Sequence, residues 1–137
     1  MTVRRVVVDH VGFLVRDIEA SRRFYEAALA PLGFHVMYED SDGVAFGVTS
    51  ADDFGIHQHQ EPTTHAHVAF VAQDRNAVDA FYASALANGG LEKSPPCLRA
   101  EYHATYYAGY VWDPDGNNIE AVHHGRDEGA EPAQLSR

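Results

Sequence analysis

The stretch HVGFLVRDIEASRRFYEAAL from His10 recurs as HVAFVAQDRNAVDAFYASAL from His67. The offset of 57 residues holds without a gap through Val11/Val68, Phe13/Phe70, Asp17/Asp74, Phe24/Phe81, Tyr25/Tyr82, Ala28/Ala85, Leu29/Leu86 and Gly33/Gly90. Repetition of a whole strand–helix unit makes the chain two packed half-domains. Each copy begins its first strand with a histidine. Symmetry would therefore bring two imidazoles toward one axis.

The 137 residues amount to about one domain, with enough apolar material for a core. The expectation is one domain over residues 1–137, with module one near 6–60, module two near 65–124 and a polar tail over 125–137. Ten Lys and Arg against twenty Asp and Glu give a net charge of −10, which argues against nucleic acid and anionic membrane surfaces as partners. No apolar run has a membrane span's length, and the N-terminus has no signal-peptide apolar region. The single cysteine, Cys97, fits a reducing cytoplasm and reads as a plain loop thiol.

Alternation predicts a strand over Val6–Val15, with His10, Gly12 and Leu14 on the face opposite Val11, Phe13 and Val15. Asp17 is placed to cap a helix over Ile18–Ala30, which Pro31 and Gly33 end. Strands over Phe34–Glu39, Val44–Thr49 and Phe54–Gln60 follow. The second unit repeats this with a strand His67–Ala72 and a helix Arg75–Asn88 capped by Asp74. In this helix Val78, Phe81, Tyr82, Ala85 and Leu86 form the buried stripe. A short strand Leu91–Ser94 and a loop from Pro95 to Ala100 come next. A hairpin of Tyr102–Trp112 and Asn118–His123 turns at Asp113-Pro114-Asp115-Gly116-Asn117. The expected fold is α+β. Two tandem βαβββ modules form an open, cupped eight-stranded sheet or barrel, with helices outside and both histidines within.

Glu120 lies in the last strand, on the face of Asn118 and Val122. A carboxylate in a central strand is costly to bury unless it is paired or bound to a cation. His10, His67 and Glu120 on a concave surface suit one divalent metal ion (Zn, Ni, Co, Mn or Fe) and leave positions open for water or substrate.

With these residues in view, the sequence resembles the vicinal oxygen chelate superfamily of glyoxalase I, bleomycin-resistance proteins, fosfomycin-resistance thiol transferases and extradiol dioxygenases. The matching pieces are Asp9-His10-Val11-Gly12, Asp17 through Phe24-Tyr25, Leu32-Gly33-Phe34, His65-Ala66-His67-Val68-Ala69-Phe70 and Asp113 through Glu120. The resemblance implies paired βαβββ modules and metal ligands at His10, His67 and Glu120. Members with four protein ligands take one from late in module one. Matching Gly55-Ile56-His57 with Asn118-Ile119-Glu120 nominates His57, with His59 as the competing choice. Bacterial glyoxalase I has glutamate at this place, so a histidine there puts that activity in doubt. A tyrosine ten positions before the ligand glutamate, as in extradiol dioxygenases and fosfomycin-resistance enzymes, is Tyr110, a candidate acid or substrate orienter. His103 is a candidate loop-borne proton carrier. His35, His123 and His124 read as surface residues, and nothing selects Arg99 or Arg126 for an anionic substrate.

The implied function is a glyoxalase-like, divalent-metal-dependent lyase or isomerase acting on a small substrate with vicinal oxygens. In it Glu120 holds the metal and shuttles a proton, and Tyr110 or His103 donates to developing charge. The alternatives are an Fe(II) extradiol-type dioxygenase and a metal-free, bleomycin-resistance-like drug-binding protein. Fosfomycin modification ranks lower, because no lysine- and arginine-rich phosphonate pocket is identifiable. Small members of the superfamily usually dimerise, so a homodimer is expected.

Overall fold

The computed structural model describes residues 5–125. The expected tail therefore lies, from residue 126 on, outside the described residues. Module one comprises strand β1 (Val11–Val15), helix α1 (Ile18–Leu29) and strands β2 (His35–Glu39), β3 (Gly43–Gly47) and β4 (Phe54–Gln58). Module two comprises β5 (His67–Val71), α2 (Arg75–Ala87), β6 (Leu91–Leu98), β7 (Tyr107–Trp112) and β8 (Asn118–His123). The strands form two four-stranded sheets of matching order, β1-β4-β3-β2 and β5-β8-β7-β6. In each sheet the first strand lies parallel to the last, and the other neighbours are antiparallel. The duplication seen in sequence is thus a duplication of topology.

Both helices start where their capping aspartates place them. Asp17 accepts from the backbone N–H groups of Glu19 and Ala20, and Asp74 from that of Ala77. These bonds occupy donors that a helix start leaves without intrahelical partners. A short 3-10 turn over Ala30–Leu32 extends α1, and Gly33 ends it at φ 91°, where a side chain would be strained.

The helix-side faces share one core. Phe24, Tyr25, Ala28 and Leu29 of α1 are fully buried, as are Val78, Phe81 and Ala85 of α2. Each large apolar side chain so buried contributes about 2 kcal/mol. Phe54 and Phe70, one from each sheet, meet edge to face with centroids 5.5 Å apart. Phe34 meets Phe70 at 5.4 Å. Leu86, expected in the buried stripe of α2, is exposed, and Tyr82 is half-buried. The stripe is narrower than its sequence suggests.

A polar clasp also joins the modules. Buried Asp113 accepts from the Tyr25 hydroxyl, from the Asn117 amide and from the backbone N–H groups of Asp115 and Asn117. Asn117 in turn accepts from Ala66 N–H and donates to the Thr63 carbonyl. Gly116 makes the turn at φ 88°. The Asp-Pro-Asp-Gly-Asn run is therefore more than a hairpin turn, because it ties β7 and β8 to the inter-module linker and to α1.

Several boundaries shift by one or two residues from the sequence reading, and three differ by more. The first strand begins at Val11, and Val6, Val7 and Val8 are exposed. Strand β6 runs through Pro95-Pro96 to Leu98, where a loop was expected. It is an edge strand with register shifts between Ser94 and Cys97, and both an edge and a bulge tolerate proline's missing N–H. Strand β7 starts at Tyr107, and Tyr102 lies in the preceding turns. The open architecture is present, but among the described residues the two sheets are not joined edge to edge. The faces turned away from the shared core are thus two separate surfaces, one per module.

Candidate functional site

On the outward face of the second sheet, His67 stands at the start of β5 and Glu120 in the middle of β8. The register pairs His67 with Asn118 and Ala69 with Glu120, so both side chains share one face. His67 Nε2 lies 2.8 Å from Glu120 Oε1. The Tyr106 hydroxyl donates to Glu120 Oε2 at 2.6 Å. Glu120 is 1% exposed, whereas the His67 side chain is half exposed. A buried carboxylate with both oxygens engaged is held in one orientation, with its cost of desolvation offset by those contacts.

Tyr110 is the direct cross-strand neighbour of Glu120. It packs with Ala108, Val122 and Tyr106 in a small second cluster. Burial, then the nearby Glu120 charge, pushes the Tyr110 phenol well above the usual tyrosine range. Burial and the hydrogen bond to Glu120 do the same to Tyr106. Both phenols therefore stay protonated at neutral pH and serve as donors rather than bases. Tyr106 was not singled out from sequence. Its signal was present, four positions before Tyr110 and on the same strand face, but nothing marked it apart from the neighbouring aromatics.

His103 lies beyond Tyr106. Its ring meets the Tyr106 ring at 5.4 Å, and its Nε2 is 3.0 Å from His124 Nδ1. The two imidazoles stack at 5.3 Å. His124 is thus part of this edge of the site and not a plain surface residue. His123 also differs from the surface reading, since its Nδ1 is 3.0 Å from the Ala72 carbonyl oxygen.

The other nominated residues belong to module one and stand apart. His10 is exposed, with Nδ1 2.7 Å from Asp9 Oδ1. His57 lines a hollow of about 400 Å³ on the outward face of the first sheet, with Gly12, Leu14, Tyr38, Ala45 and Gly55. The strand register corrects the alignment that nominated it. Gly12 pairs with Gly55 as Ala69 pairs with Glu120, and Leu14 pairs with His57 as Val71 pairs with Val122. The residue symmetric with Glu120 is Gly55, two positions before His57. The loop before β4 has a different length from the turn before β8, and this offset moved the match. His59 Nδ1 accepts from Glu61 N–H. Among the described residues, no three or more His, Cys, Asp or Glu side chains gather into a cage for a cation. His67 and Glu120 are together; His10 and His57 are not with them.

Paired βαβββ modules with a His–Glu pair on the exposed sheet face define a class of protein, and comparison identifies the family. A family profile described as the Glyoxalase/Bleomycin resistance protein/Dioxygenase superfamily matches residues 7–121, and the chain belongs to this superfamily. It is similar to the crystal structure of a glyoxalase/bleomycin resistance protein from Albidiferax ferrireducens T118, at 35% identity and TM-score 0.73, over 84% of this chain and 96% of that one. A glyoxalase/bleomycin resistance protein/dioxygenase family enzyme from Burkholderia phytofirmans PsJN shares the fold at 20% identity and TM-score 0.67, over 87% of this chain and 99% of that one. So does the fosfomycin resistance protein FosX from Mesorhizobium loti, at 20% identity and TM-score 0.63, over 88% and 93% of the two chains. No curated protein matches the chain. No helix among the described residues is long and apolar enough to cross a membrane.

Proposed function

We propose that the chain is a divalent-metal-dependent enzyme of glyoxalase type, a lyase or isomerase acting on a small molecule with neighbouring oxygens. The observation that carries this reading is the His67–Glu120 pair. Adjacent donors around one metal ion at bond lengths of about 2.1 Å stand roughly 3 Å apart, and Nε2 and Oε1 are 2.8 Å apart. An imidazole and a buried carboxylate are also the donor chemistry such an ion takes. When bound, the ion supplies Lewis acidity toward the substrate oxygens. Glu120 holds that ion and takes or returns a proton at its carboxylate. Tyr110 donates its phenolic proton toward developing negative charge. His103, at the solvent edge beyond Tyr106, carries protons to and from the outside.

Of the nominated ligands, one chain brings only His67 and Glu120 together, and His57 falls out of register with the site. We therefore assign the third, His10, to a second copy, whose first sheet would close over the second sheet of this one. A homodimer would then hold two sites. The exposed Cys97 suits the reducing cytoplasm expected for such an enzyme.

The test is metal content after reconstitution of untagged protein. About one ion per chain is expected, falling to near zero in Glu120→Gln and His67→Ala. Full metal content in both variants, or none in the parent protein, would end the metal reading and favour a metal-free binding protein.

A second reading has its own support. With Gly55 at the place of a fourth ligand, the set is two histidines and one carboxylate, which suits Fe(II) and oxygen chemistry. Iron-dependent O2 uptake with a catechol separates a dioxygenase from an isomerase.

A further inference from the structure

The outward face of the second sheet carries a polar row across its strands. His67 stands on β5, Glu120 on β8, Tyr110 on β7, and two cations on and just after β6. The Arg99 guanidinium lies 5.1 Å from the Tyr110 ring centroid. Lys93 Nζ lies 5.5 Å from the same ring and 5.3 Å from the Trp112 ring. Ser94 and the Pro95 carbonyl hold one nitrogen of Arg99, while its buried Nε has no hydrogen-bond partner. Among the described residues, no ion pair links Lys93 or Arg99 to a carboxylate. Two cations on aromatic rings, in a chain of net charge −10, make a local site that runs against the overall field.

We infer that Lys93 and Arg99 bind an anionic group of the substrate, a carboxylate or a phosphate-type oxyanion, at the end of the site away from the metal. This rests on the proposed function for the other end. Two strand spacings put the backbones of β8 and β6 about 10 Å apart, and both cations lie over the Tyr110 ring on the strand between them. The substrate is thus an elongated molecule with chelating oxygens at one end and a fixed negative charge several bonds away. Arg99 offers the terminal nitrogen that Ser94 and Pro95 do not hold, and Lys93 offers a point charge beside it.

Trp112 is the only tryptophan and touches Lys93, so its emission reports this end alone. Phenylphosphonate and benzoate are titrated into chelator-treated protein, with benzyl alcohol as the neutral control. Saturable emission changes are expected with at least one anion and none with the alcohol. Tighter binding of phenylphosphonate points to a phosphate-type group, and tighter binding of benzoate to a carboxylate. Lys93→Gln, an exposed change that leaves the fold intact, weakens binding at least threefold. The double variant with Arg99→Gln weakens it at least tenfold, and Arg99→Lys loses less. No saturable anion binding, equal binding of the alcohol, or unchanged affinity in Lys93→Gln and the double variant overturns the inference. Because the metal is removed, failure here is distinct from failure of metal loading.

Discussion

Gly55 of module one occupies the register position that Glu120 occupies in module two. The duplicated topology thus carries an unduplicated carboxylate. A Cβ added at Gly55 meets nothing closer than the Val44 carbonyl oxygen at 3.8 Å. Gly55→Glu is therefore expected to fold. It places a second carboxylate on the first sheet's outward face, where the second copy's ion would lie. Metal competition titration should show tighter binding than in the parent, at least tenfold, because an added anionic ligand joins the shell. Thermal melts should show a stabilisation that depends on added metal.

The proposed sharing of His10 across copies has a quantitative signature. His10→Ala and Glu120→Gln should each be inactive and bind metal poorly. Equal mixing after unfolding and refolding gives half heterodimers, each with one intact site of two. Activity and tight metal sites should then return to about one quarter of the parent value. A site wholly within one chain would give no recovery.

The Glu120–Tyr106 contact is expected to be worth about 1–3 kcal/mol, since Tyr106→Phe leaves Oε2 buried without its donor. Urea unfolding of metal-free Tyr106→Phe checks this. A bound cation should reduce the loss, because it stabilises the same carboxylate. Tyr106→Phe should lower affinity for metal far less than Glu120→Gln does.

The phenols set the alkaline limit. Burial and Asp113 push the Tyr25 phenol far up, and burial beside Glu120 does so for Tyr106 and Tyr110. An unfolded tyrosine releases its proton near pH 10. Above that pH the unfolded chain binds fewer protons than the folded one, so stability is full below about pH 10 and is lost as pH rises toward the folded values. Phenolate absorbance should show Tyr25 titrating only with unfolding, and Tyr106 and Tyr110 titrating later than an ordinary tyrosine. Tyr25→Phe should flatten the alkaline decline while lowering stability at neutral pH.

Much of this architecture was legible because it follows from local chemistry repeated twice. Asp17 and Asp74 announce helix starts, and strand alternation puts His67 and Glu120 on one face. What escaped depended on relations between distant segments. Pro95-Pro96 reads as a loop until β6 is known to be an edge strand. His57 reads as a ligand until the β1–β4 register is known. Arg99 and Lys93 carry no local signature, and only the β6–β7 pairing sets them over Tyr110. A duplicated sequence also names two half-sites without saying whether they meet in one chain or between two.

The buried clasp around Asp113 bears on how such sequences should be sorted. Its groups spend their bonding capacity on Tyr25, Asn117, Ala66 and Thr63, none of which needs to touch a substrate. A chain stripped of Glu120 would still need Asp113, Gly116 and Asn117 to close this clasp. The turn therefore speaks for the fold, while livelihood has to be judged from what stands three residues later, at position 120.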